Sequence, residues 1–196
     1  MVDMNVKITT PLLQQLKTVG SENGKKNMSR AINDALKSGK AAAKKNTTKI
    51  YNIKAKDIES NVKVSKASPG NLKAGKLVFT SRRLTVGTST HFSITPRAYK
   101  SQQGVKLSKR KVSTVTIRKG KKVNVNHAFV ANPSAVKGGN TMLWIRLNRG
   151  IAPLKTISIP QMVSNDEVYK PTHQAMQEQY EKRFQHYQTL QRNGKQ

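Results

Sequence analysis

Cysteine is absent from the 196 residues, which excludes disulfides, thiolate nucleophiles and cysteine-ligated zinc. Acid is scarce and unevenly placed. The nine carboxylates are Asp3, Glu22, Asp34, Asp57, Glu59, Asp166, Glu167, Glu178 and Glu181, so nothing between Ser60 and Asn165 is acidic. That block offers no carboxylate pair for general acid–base work, no aspartate for a catalytic triad and no oxygen cage for Ca²⁺ or Mg²⁺. The four histidines, His91, His127, His173 and His186, show no HxxxH or HExxH spacing and read as structural or solvent-facing. The expectation is a protein that is not an enzyme and carries no cofactor or metal.

Aromatic residues make up only 5% of the chain, too few for base-stacking platforms, and no RNP motif, helix-turn-helix pattern or zinc finger is present. GNLKAGK and KGGN lack the GxxxxGK[ST] spacing of a phosphate-cradling loop and read as turns. No apolar run approaches the roughly 18 residues of a membrane span, and MVDMNVKITTPLLQQL has no basic stretch followed by a continuous apolar one. Assembly in the cytoplasm, without a membrane partner, is the expectation.

Positive charge is what the chain has in excess: 37 Lys and Arg give a formal net charge of +28, which favours a polyanion or an acidic protein surface as partner. The clusters are Arg82 and Arg83, the run Lys106, Lys109, Arg110 and Lys111, and the turn Arg118, Lys119, Lys121 and Lys122. Each is either a set of phosphate contacts replacing condensed counterions or a solvated, repulsive rim. In the absence of base-reading motifs, any nucleic-acid contact would be directed at the backbone and indifferent to sequence.

The stretch STVTIRKGKKVNV at 113–125 alternates through Val115, Ile117, Val123 and Val125 around Gly120, the pattern of a half-buried hairpin. MNVKI at 4–8 reads as a short strand, and Thr10 with Pro11 as the start of a short helix through LLQQLKTV. GSENGKKN reads as a loop, after which Ser29 caps a longer helix through RAINDALKSGKAAAKK, with Ala31, Ile32, Ala35, Leu36 and Ala42 as its apolar stripe. Gly39 inside that helix costs about 1 kcal/mol relative to Ala, so packing must require it.

KAKDIESN suits one or two helical turns; VKVS, KLVFTS, TMLWIRL and LKTISIP suit strands, and an antiparallel sheet fits them. Residues 82–111 read as a long basic loop. Trp144 reads as a sheet-core aromatic rather than a ligand platform. GIAPLKTISIPQM, with proline at both ends of an alternating stretch, suits an edge strand or a peptide adding to another subunit's sheet. From Asn165 onward, Val168, Met176, Tyr180, Phe184 and Tyr187 recur at helical spacing, with Pro171 expected to start or kink the helix. The resulting fold class is α+β: a long N-terminal helix packed on an antiparallel β-sheet within residues 1–163, and a C-terminal helical arm over 164–196.

The order of these features resembles the minor tail protein Z family of tailed bacteriophages. The resemblance rests on RAINDALKSGKAAAKK, IYNIKAKDI, HAFVA at 127–131, GNTMLWIRLNRG at 139–150, PLKTISIPQMV at 153–163 and the late EKRFQHY, and covers most of the chain. Residues 1–20 depart from the family pattern. The resemblance implies a structural virion protein at the head-proximal end of the tail, a homo-oligomer in a hexameric ring with genome DNA in its lumen and tail and neck or connector proteins as neighbours. The family contributes no catalytic residues. Ile157, Ile159 and Met162, with Met176, Tyr180 and Phe184 of the arm, are the expected subunit contacts. The alternative is a free, sequence-independent nucleic-acid-binding protein acting through the same basic surface.

Overall fold

The computed structural model describes residues 2–5, 22–87, 92–95, 113–125, 128–131, 142–148 and 150–194. Two long helices dominate: α1, Glu22–Ile50, and, near the C-terminus, a helix over Asp166–Arg192. Between them lie the short α2, Ala55–Ser60, a 3-10 turn at Leu72–Ala74 and α3, Ile159–Val163, which makes the C-terminal helix α4. Strands β1 (Val2–Asn5), β2 (Val62–Ser65) and β3 (Lys76–Phe79) form one antiparallel sheet in the order β1-β3-β2. A second sheet holds β4 (Ser93–Thr95), β5 (Ser113–Arg118) and β6 (Lys121–Val125), and a third holds β7 (Ala128–Ala131), β8 (Met142–Leu147) and β9 (Gly150–Pro153), each in sequence order. The α+β class read from the sequence is the observed one. The strand expected at 4–8 overlaps β1 at Met4 and Asn5; its remaining residues, the helix expected up to Gly20, and residues 88–91 and 96–111 of the expected loop lie outside the described residues.

The core is the contact between α1 and α4, floored by β3. Met28, Ala31, Ile32, Ala35, Leu36 and Ala43 of α1 are buried with Val168, Met176, Tyr180 and Phe184 of α4, and with Leu77 and Phe79 of β3. The stripe on α1 continues through Gly39, Ala43 and Thr47, while Ala42, expected to belong to it, is half-buried. At Gly39 the packing is tight: a Cβ there would overlap the Met176 side chain and stand 3.1 Å from Leu77 Cδ1. This is the packing that a glycine in mid-helix requires.

Polar bonds fix the antiparallel register of the pair. Asn46 Nδ2 donates to Thr172 Oγ1 at 3.1 Å, Tyr187 Oη donates to Asp34 Oδ2 at 2.7 Å, and Asn27 Nδ2 donates to Gln191 Oε1 at 2.8 Å. These bonds explain why α1 is already helical at Glu22, through residues expected as a loop. Asn27 is 1% exposed and satisfied by α4, and Ser29, expected as a cap, instead donates to the Lys26 carbonyl within the helix. Pro171 neither starts nor ends α4. The helix runs through it, capped at Asn165, whose side chain accepts from the Glu167 N–H.

The C-terminal helix is therefore not an arm reaching for a neighbour, because its apolar side is covered by α1 of its own chain. Met176, Tyr180 and Phe184 are 0–3% exposed, which corrects their expected role as subunit contacts. Ile159 and Met162 are corrected likewise: both are fully buried, in α3, which packs on β1 and β3. SIPQM is not the end of a strand. Ser158 and Gln161 form a capping box, an S-x-x-Q signature that starts a helix. Ile157, just before it, is half-buried against the same core, and its carbonyl accepts from the Leu84 N–H.

The start of the expected 82–111 loop is likewise part of the fold. Leu84 and Val86 are buried, and their backbone groups pair with Leu154, Thr156 and Ile157. Trp144, expected inside the sheet, is half-buried on the opposite face of β8 from buried Leu143, across from Phe129 and Pro153. Leu143 and Ile145 are the pair that alternation turns toward the core.

Two expectations test this packing. Gly39→Ala should lower the melting temperature although alanine gains about 1 kcal/mol of helix propensity, and its combination with Met176→Ala should be less destabilised than the sum of the two single changes, giving a non-additive double-mutant cycle in thermal melts. The hydrogen bond to Asp34 raises the Tyr187 pKa, with desolvation adding to it, so the folded state holds this proton more tightly than the unfolded chain. The resulting stability is present below the ordinary tyrosine value of about 10 and is lost as pH rises through the raised folded value. Melts at increasing alkaline pH should show a shallower decline for Tyr187→Phe than for the native chain.

Candidate polyanion-binding surface

The β5–β6 hairpin was the leading site expectation, and its frame is as read: Val115 is 1% exposed and Gly120 turns the chain at φ 77°, a conformation that favours glycine. Pairing steps from Thr116 opposite Lys122 to Arg118 opposite Lys121, leaving Ile117 as a bulge. Val123, expected inward, is 43% exposed because β6 is the outer strand of its sheet. The lysines at such an edge also discourage pairing with a stray strand.

The four cations of this turn do not form one site. Arg118 is turned back onto the body of the protein: its Nη2 donates to Glu167 Oε2 at 2.5 Å, and its guanidinium lies 5.8 Å from the Tyr51 ring centroid. The Glu167 carboxylate beside it raises the Arg118 pKa. Tyr51 is held in turn by Asn165, whose Nδ2 donates to its hydroxyl at 3.0 Å. Backbone bonds from Lys119 N to Ile50 O and from Asn52 N to Ile117 O clamp the hairpin to the end of α1. Arg118 is thus a structural anchor rather than a free contact residue. Lys119, Lys121 and Lys122 are exposed beyond it.

Arg82 and Arg83 are exposed where the chain leaves β3, ahead of buried Leu84. Lys106, Lys109, Arg110 and Lys111 lie outside the described residues. Among the described residues, no group of three or more His, Asp or Glu converges as metal ligands, and no helix is long and apolar enough to cross a membrane.

A larger set of cations lies where the sequence reading placed only core. Lys26, Arg30, Lys37, Lys40 and Lys44, with Asn33 among them, follow one another on α1 at alternating steps of four and three residues, the spacing that puts side chains on one face of a helix. Lys26, Arg30 and Lys37 are exposed and Lys40 and Lys44 partly buried, all on the side of α1 turned away from its buried stripe. The spacing was the available signal. It acquires meaning only once α1 is known to be helical from Glu22, because Lys26 falls in the stretch that reads as a loop.

Comparison with family models, with curated proteins and with solved structures finds no match to this chain.

The anchoring role of Arg118 leads to a specific outcome. Glu167→Gln should increase hydrogen exchange across 113–125 while leaving the amides of α1 and α4 protected, since the ion pair is solvent-exposed and contributes to the position of the hairpin more than to the core.

Proposed function

We propose that this chain is a structural component of a phage virion, at the head-proximal end of the tail, completing the tail and supporting its joining to the head as a ring around the DNA passage. The observation that carries the reading is that three successive blocks bearing the resemblance to the minor tail protein Z family build one sheet and the helix after it. HAFVA supplies β7, TMLWIRL supplies β8, and GIAPLKTISIPQM supplies β9, the extended stretch paired with Leu84 and Val86, and the capped α3.

Two further features support it. The three sheets are short and open, each with outer strands unpaired on their far side among the described residues, and such edges are sites of strand addition between subunits. The apolar residues left for subunit contacts are different from those expected: Leu147 and Ile151, near the β8–β9 turn, are 55% and 58% exposed. A ring of heterologous contacts built on these edges lets every subunit turn the same basic surface toward the DNA passage. The site of action is the virion neck, with assembly in the host cytoplasm.

The formal charge of +28 also favours a second reading, a free nucleic-acid-binding protein acting without sequence preference. Electron microscopy of a lysate in which this gene alone is disrupted separates the two. The tail-completion reading expects filled heads and tails lying apart. Joined particles in normal numbers would discard it in favour of free nucleic-acid binding.

A further inference from the structure

We infer that the outward face of α1 is a binding ridge for the phosphate backbone of double-helical DNA, and that this ridge, rather than the hairpin tip, is the principal polyanion contact of the protein. The inference deepens the proposed function by naming its DNA-facing surface, and rests on that reading only for the choice of duplex DNA as the polyanion.

The ridge runs from Lys26 to Lys44 through Arg30, Asn33, Lys37 and Lys40. At a rise of about 1.5 Å per residue it is about 27 Å long, a length over which duplex DNA carries one negative charge per about 1.7 Å of axis, both strands counted, so the ridge is matched in extent to a densely charged surface. The ridge stands on the most firmly held helix of the fold, whose opposite side is locked by Gly39, Ala35 and Leu36 against α4 and β3. Its middle is fixed sideways as well. Asn33 donates to the Ala67 carbonyl at 3.0 Å and accepts from the Ala67 N–H at 2.9 Å, which brings exposed Lys66 alongside and adds to the charge.

Glu22 stands four residues before Lys26 at the start of the helix, and the two carboxylates along the middle and end of the ridge are already committed. Asp34 accepts from Tyr187 and sits 3.4 Å from Lys37 and 3.7 Å from Arg183. Glu59 is 2.5 Å from Lys44, and that hydrogen bond holds its pKa below the usual carboxylate value. Lys26 and Arg30 form no ion pair among the described residues, and Lys40 is near enough to Glu59 to help lower its pKa without a direct bond. An acidic protein is the weaker candidate for this face because the stripe contains no apolar residue, whereas protein interfaces are organised around a buried apolar or aromatic centre. A surface of long, flexible cations on a rigid rod matches a partner recognised by charge alone.

The test is fluorescence anisotropy of the full-length protein with a labelled random-sequence DNA duplex between about 50 and 200 mM salt. It compares the native chain, the ridge variant K26Q/R30Q/K37Q/K40Q and the hairpin variant K119Q/K121Q/K122Q, with circular dichroism melts to verify folding. Glutamine keeps nearly the helix propensity of the residues it replaces. The ridge variant should lose about 3 to 4 units of the log–log salt slope and at least tenfold in affinity, while the hairpin variant keeps most of both. If the ridge variant melts early, the single variants K26Q and K40Q stand in, each expected to lower the slope by about 1.

An unchanged slope in the ridge variants, no duplex binding by the native chain, or equal competition by polyglutamate at matched charge would overturn the inference. These results are independent of the lysate phenotype. Joined particles after gene disruption would remove the tail-completion reading while leaving ridge binding intact.

Discussion

The antiparallel contact between α1 and α4 is the constraint on which the rest of the structure depends. It joins residues far apart in the chain, with Asn27 bonded to Tyr187 and Gln191 at one end and Asn46 to Thr172 at the other. Gly39 brings the two backbones close enough for Met176 to fill the space its missing side chain leaves. With these helices locked together, β3 is pressed beneath them, α3 is held against β1 and β3, and Asn165 at the start of α4 reaches Tyr51 at the end of α1. From there Tyr51 and Glu167 hold Arg118, and with it the base of the β5–β6 hairpin.

This arrangement divides the molecule chemically. Apolar surface on the two long helices is consumed within the chain, so what α1 presents outward is mostly cationic. The core must hold a shell whose charges repel one another, and the few carboxylates near α1 are used locally to bind α4 and α2. Binding a polyanion relieves that repulsion, and the partner adds stabilisation by mass action. Charge and fold are thereby linked: a scaffold that buries its apolar faces internally and offers cations outside suits contact by electrostatics.

Much of the fold was legible from the sequence because the relevant signals are local. Gly120 between two alternating runs marks the hairpin, and the helical spacing of Val168, Met176, Tyr180 and Phe184 marks the buried side of α4, all four residues being buried. What covers that side was not legible, since periodicity identifies an apolar face without naming its partner; hence the expectation of a neighbouring subunit where α1 is found. The phase of β8 was ambiguous because MLWIRL is apolar on both faces, and only the pairing of its neighbours places Leu143 inward and Trp144 outward. The start of α1 was hidden by Gly24 and Asn27, polar or flexible residues that are helical because α4 lies over them. For the candidate site, contiguous clusters such as RKGKK stand out in sequence, yet Arg118 is an internal anchor. The stripe from Lys26 to Lys44 is dispersed over the helix and becomes visible only with its register.

Hydrogen–deuterium exchange on the isolated, unassembled subunit tests most directly whether the α1–α4 contact is the core of the single chain. The account predicts that amides around Ala31–Ala43 and Thr172–Phe184 share the slowest exchange in the molecule and open together. Rapid exchange throughout α4 in the free subunit, with protection gained only upon assembly, would contradict it and return the C-terminal helix to the role of an intersubunit arm.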